Sequence, residues 1–72
     1  MIFVDFNKSF YPLQAIKAAM DAYRDFVDFR LERGKKTTRV VFKKVSEGNP
    51  EAIKNEFSNY VLFLTLTKQK YD

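Results

Sequence analysis

The hydrophobic period of this chain switches twice within its first 31 residues, and no other feature constrains the fold as tightly. Ile2, Val4 and Phe6 alternate with Phe3 and Asp5 at period 2, as a strand requires. Leu13, Ile16, Met20, Tyr23 and Val27 then recur at helical spacing. Ala15, Ala18, Ala19 and Ala22 raise helix propensity in between and permit close packing. Val27, Phe29 and Leu31 return to period 2 against Phe26, Asp28, Arg30 and Glu32. The spacing predicts a strand at the N-terminus, a helix from about 12 to 24, and a second strand over 26–32. Pro12 is expected in the first helical turn, where its missing N–H has no partner in any case.

Gly34 marks a turn, and Thr37 to Val45 reads as the returning strand because it is rich in β-branched residues. With Gly34-Lys35 at the centre of a two-residue type II′ turn, Phe29 faces Val40, Val27 faces Phe42 and Leu31 faces Thr38. The other side pairs Asp28 with Val41, Arg30 with Arg39 and Phe26 with Lys43. This register gives one apolar and one mixed face, which is its recommendation. Arg30 against Arg39 is unfavourable there, softened by Asp28 on the diagonal. Asn49-Pro50-Glu51 opens a second helix: Asn caps, Pro fits the first turn, and Glu favours the positive end of the dipole. Ile53, Phe57, Tyr60, Val61 and Leu64 continue it. Residues 60–67 also fit period 2 through Leu62, Leu64 and Leu66, so a helix ending near Asn59 and a fourth strand is the alternative. The lack of a turn signal between Ile53 and Thr67 favours one helix. The expected fold is a single small α+β domain spanning 1–72 in βαββα order. Both helices would pack on one face of a three-stranded sheet, the face bearing Val4, Val27, Phe29, Val40 and Phe42.

A chain of 72 residues buries only about 60% of its unfolded surface, so its core must be dense. Eight Phe and four Tyr answer that need. The same chain has no Cys and no His, which removes thiolate metal sites, a thiol nucleophile and the usual general base together. Ser9, Ser46 and Ser58 lack a histidine to activate them. Asp21, Asp25 and Asp28 form a carboxylate row only if the first helix reached 28, which the alternation after Phe26 opposes. The expectation is a non-enzyme with no catalytic residue, no metal and no cofactor. Asp5 interrupts the N-terminal apolar stretch, which does not read as a signal peptide. The run from Tyr60 to Leu64 is far shorter than the ~18–20 residues of a membrane span. A cytoplasmic protein without membrane contact is expected.

Two surfaces carry the functional expectation. Two helices on three short strands offer few inward positions, so Phe3, Phe10, Phe26, Leu62, Phe63 and Leu66 are hard to bury together. Phe3, Phe10, Phe26 and Phe63, with Asn59 on the second helix, therefore form the candidate partner-binding set. The second surface is basic. Residues 1–34 cancel in charge, and residues 35–72 carry the whole +4. Arg30, Arg33, Lys35, Lys36, Arg39, Lys43 and Lys44 make the candidate basic patch, suited to steering an acidic partner. Bases interleaved with aromatics on an open sheet face also suit single-stranded nucleic acid, the alternative reading. Self-association through the aromatic patch would give a homodimer.

The stretch Val4-Asp5-Phe6-Asn7-Lys8-Ser9-Phe10-Tyr11-Pro12-Leu13-Gln14-Ala15-Ile16-Lys17-Ala18-Ala19, with Tyr23 following, resembles the small D component of the His-Xaa-Ser peptide-maturation systems. Glu56-Phe57-Ser58-Asn59-Tyr60-Val61-Leu62 is similar to that family's Phe-x-Asn-x-Leu helix. Leu66-Thr67-Lys68 stands where the family ends in Leu-Arg. The resemblance implies a small accessory protein beside radical-SAM enzymes that mature a peptide carrying His-Xaa-Ser repeats. Lacking His and Cys, this chain would be neither that substrate nor the holder of an iron–sulfur cluster. The combined expectation is a protein or peptide partner docked on an open strand edge beside exposed Phe side chains.

Overall fold

In the computed structural model, which describes residues 2–71, the period switches resolve into five elements. Strand β1 is Ile2–Asn7, helix α1 Leu13–Tyr23, β2 Val27–Arg33, β3 Thr37–Val45 and α2 Pro50–Tyr71. The order is β-α-β-β-α, an α+β fold. The sheet order is β1-β3-β2 with both pairings antiparallel, so β1 and β2 are parallel and β3 lies between them. That is a split βαβ unit extended by one helix. β1 and β2 are the sheet's two edges.

Alternation decides the faces. Phe6, Val27, Val40 and Phe42 turn inward and meet Ile16 and Ala19 of α1 and Phe57 and Val61 of α2 in one buried cluster. Phe57 is fully buried at its centre. Its ring lies 5.1 Å from Phe29, 5.3 Å from Phe42, 5.7 Å from Tyr23 and 6.2 Å from Phe6. These tilted and edge-on geometries are the ones that aromatic quadrupoles favour. Ala15 and Ala19, both buried, present small side chains on the packed side of α1.

The hairpin register differs from the expected one. Phe29 pairs with Phe42, Leu31 with Val40, Arg30 with Val41 and Glu32 with Arg39. This is a slip of two residues, and an even slip leaves every side chain on its expected face. The cause lies in the turn. A type II′ turn needs a left-handed residue at its first central position, and Gly34 is not left-handed. Its N–H donates to the Thr37 carbonyl (2.9 Å), which centres the turn on Lys35 and Lys36. Glycine eases the close approach there, because a Cβ would sit 3.2 Å from that carbonyl oxygen and the neighbouring backbone would have to give way. The anticipated Arg30–Arg39 repulsion therefore disappears. Near the other end the partner of β2 jumps from Lys44 to Phe42, leaving Lys43 as a bulge on β3. Phe26 consequently does not face Lys43, and its carbonyl instead accepts from the Ser46 N–H (2.7 Å).

Helix α2 runs unbroken through 60–67, so no fourth strand forms. Asn49 caps it as expected, with Oδ1 accepting from the N–H groups of Glu51 (2.9 Å) and Ala52 (3.3 Å). Gly48, with φ +82°, supplies the left-handed residue just before the cap. Pro12 sits one position earlier than expected, at the extended N-cap of α1 rather than inside its first turn. The link from β1 is organised by Asn7. Its Oδ1 accepts from the Ser9 N–H (2.9 Å) and hydroxyl (2.7 Å), and its carbonyl accepts from Phe10 and Tyr11 N–H.

Candidate functional site

The burial arithmetic of the sequence holds for most of the surplus rings. Phe10 (59%), Phe63 (57%), Phe26, Phe3 and Leu66 are the exposed large hydrophobics, while Leu62 is half-buried. They do not assemble into one patch built of stacked rings. Phe3 lies on β1 and faces away from the helices. Phe10 stands edge-on to Tyr11 (5.1 Å) in the β1–α1 turn. Phe26 borders a hollow with Tyr23, Glu47, Gly48, Ile53 and Glu56. Phe63 stacks on Tyr60 (6.2 Å, 13°) along α2, with exposed Asn59 one turn earlier. No ring–ring contact joins any two of the four phenylalanines among the described residues.

The basic set separates into three groups. Arg30 and Arg39, in mid-sheet, are both ion-paired: Arg30 with Glu32 (3.1 Å), and Arg39 with both Asp5 oxygens (2.8 and 3.0 Å). Lys43 and Lys44 lie toward the end of β3, with Asp28 opposite Lys44. Arg33, Lys35 and Lys36 stand at the hairpin tip, about 20 Å away along the strand. There they are joined by Lys8, which sequence reasoning passed over. The Lys8 N–H donates to the Lys36 carbonyl (2.9 Å), and Asn7, Lys8, Ser9, Lys35 and Lys36 line one cleft. An adjoining hollow is shared by Lys8 and Arg33. None of these four cations pairs with a described carboxylate. Pairing β1 beside β3 at the sequence level would have found Lys8.

The outer sheet face is already occupied by its own side chains. Val41 points outward yet is fully buried, with Phe3 and Arg30 directly across the two ladders. The Arg39 guanidinium lies 4.0 Å above the Phe3 ring centre while both its hydrogen bonds hold Asp5. The hydrogen bonds from Arg39 draw the Asp5 carboxyl below its ordinary range and raise Arg39 in turn. A base stacking on that face of Phe3 would have to displace the guanidinium.

The geometry of the edges follows from the ladder. Lys8 and Lys36 form a hydrogen-bonded pair in the β1–β3 register, so Val4 and Phe6 also turn their backbone groups toward β3. Phe3, Asp5 and Asn7 turn theirs outward, where no strand pairs with β1. The Asn7 carbonyl is engaged in its turn, leaving both backbone groups of Phe3 and Asp5 and the N–H of Asn7 to accept a partner. Flanking side chains are apolar: Ile2, Phe3, Val4 and Phe6. Their one charge, Asp5, is neutralised by Arg39. No helix among the described residues is long and apolar enough to cross a membrane. No family model, no curated protein and no solved structure matches this chain.

Proposed function

We propose that this chain is a non-catalytic cytoplasmic binding domain that docks an extended segment of a partner peptide or enzyme along the free edge of β1. The observation that carries this reading is the combination of outward backbone groups on Phe3 and Asp5 with an apolar strand that bears no unpaired charge. Main-chain hydrogen bonds would supply sequence-tolerant affinity, and the exposed Phe3 ring would add apolar contact. The resemblance to the small D component of the His-Xaa-Ser systems makes a radical-SAM-associated peptide-modifying system the favoured setting, with this chain presenting a peptide rather than altering it. The nucleic-acid reading draws on the unpaired cations of the tip, whereas on the sheet face Arg39 lies against one side of the Phe3 ring and is engaged by Asp5.

Backbone resonances of the labelled chain test the docking. Titration with an extended synthetic peptide of alternating valine and threonine should move the amides of Phe3, Asp5 and Asn7 first. Shifts confined to β2, or no shift at all, would overturn the reading. Sedimentation of the chain alone at two concentrations separates this from self-pairing of β1.

A further inference from the structure

The open edge of β1 has unlike ends. The strand runs toward the hairpin tip, where Lys8, Lys35 and Lys36 line one cleft and Arg33 shares the next hollow with Lys8. No described carboxylate pairs with any of the four. At the other end Ile2 lies across from Phe42, beside the bulged Lys43. Lys44 there has Asp28 opposite it. The cationic excess therefore sits at the Asn7 end of the edge. Both existing pairings in the sheet are antiparallel, the arrangement with the slightly stronger ladder. A strand added antiparallel to β1 starts at the tip and runs away from it.

We infer that the ligand of this edge is an extended peptide with acidic residues at its N-terminal end, bound by Lys8, Lys35, Lys36 and Arg33, followed by a short apolar-alternating segment that pairs with Phe3 and Asp5. This deepens the docking reading and rests on it. The ladder has room for few residues, because the Asn7 carbonyl already accepts from Phe10 and Tyr11. The acidic head lies just past that stop, beside the cleft. Its charge complementarity fixes the direction of the strand, which backbone hydrogen bonds alone fix poorly, and hastens encounter at low salt.

Three synthetic peptides sharing one Val-Thr-Val-Thr-Val segment test this on the full chain. One carries Asp-Glu-Asp before the segment, one carries it after, and one has neutral flanks. The N-terminally acidic peptide should bind roughly tenfold tighter than the C-terminally acidic one at low salt, and the gap should close at high salt. Lys8→Gln with Lys36→Gln should erase the advantage, the two acidic peptides then binding alike. Equal affinity for the two acidic peptides, or preference for the reversed one, overturns the directional inference and leaves edge docking intact. Failure of all three peptides overturns edge docking itself. A single-stranded oligothymidine that outcompetes the acidic head at the tip overturns the peptide in favour of nucleic acid.

Discussion

The two edges of the sheet present the same kind of unpaired backbone but opposite surroundings. Along β2 the outward side chains are Asp28, Arg30 and Glu32, with an ion pair between the last two, and Lys43 bulges out of β3 beside its first residues. Charges and bulges are how sheets discourage strand addition. Along β1 the outward side chains are Phe3, Asp5 and Asn7, and the one charge among them, the Asp5 carboxylate, is held by Arg39. The contrast teaches that one margin is defended and the other left available, within a sheet of only three strands.

The largest expected effect removes both margins together. Phe57→Ala empties the centre of the aromatic cluster and should cost about 3–5 kcal/mol. A chain of this size has roughly 4–11 kcal/mol in total, so the loss takes a large share of it, and chemical denaturation should show the unfolding midpoint falling steeply. Next in size, Phe3→Lys places a guarding charge on β1. Docking should weaken by about tenfold or more with the circular dichroism spectrum retained, whereas Glu32→Lys on the already charged β2 should leave docking unchanged. Equal losses from both would erase the distinction between the edges.

The converse substitution strips the defence. Arg30→Val with Glu32→Val should give β2 an apolar margin, seen as concentration-dependent association in sedimentation velocity; a strictly monomeric variant would show that the charges are not what keeps β2 unpaired. The smallest effects are pH-dependent. The Asp5 carboxyl is lowered chiefly by its hydrogen bonds from Arg39, so its contribution to stability is present above the ordinary aspartate value of 3.8 and fades as pH falls through the lower folded value. Asp5→Asn should flatten that acid limb of a stability profile. Tyr23 is raised chiefly by burial, so ionisation opposes folding as pH climbs past 10.0, and Tyr23→Phe should blunt the alkaline loss.

The faces of β2 and β3 were legible because alternation has a period of two, and for the same reason a slip of two was not; Ile2, Val4 and Phe6 against Phe3 and Asp5 left the inward face of β1 undecided. Phe29 opposite Val40 and Phe29 opposite Phe42 satisfy the same pattern; only the non-left-handed Gly34 separates them. Helix α2 was readable from Asn49 onward, since the cap and the spacing of Ile53, Phe57 and Val61 agree. The exposed rings were legible as a surplus but not as locations, because burial arithmetic counts side chains without placing them. The pairing of Asp5 with Arg39 and the arrival of Lys8 beside Lys36 join residues 34 and 28 positions apart in the chain. Nothing local signals them until β1 is set beside β3.

The carbonyl of Asn7 has a consequence for timing. Because it is taken by the turn into α1, a visiting strand can be stitched to β1 at only a handful of atoms before it must leave the ladder. Such a grip is brief. Under the proposed docking, such a domain would release its peptide quickly, and so short an edge offers little runway on which fibrils lengthen.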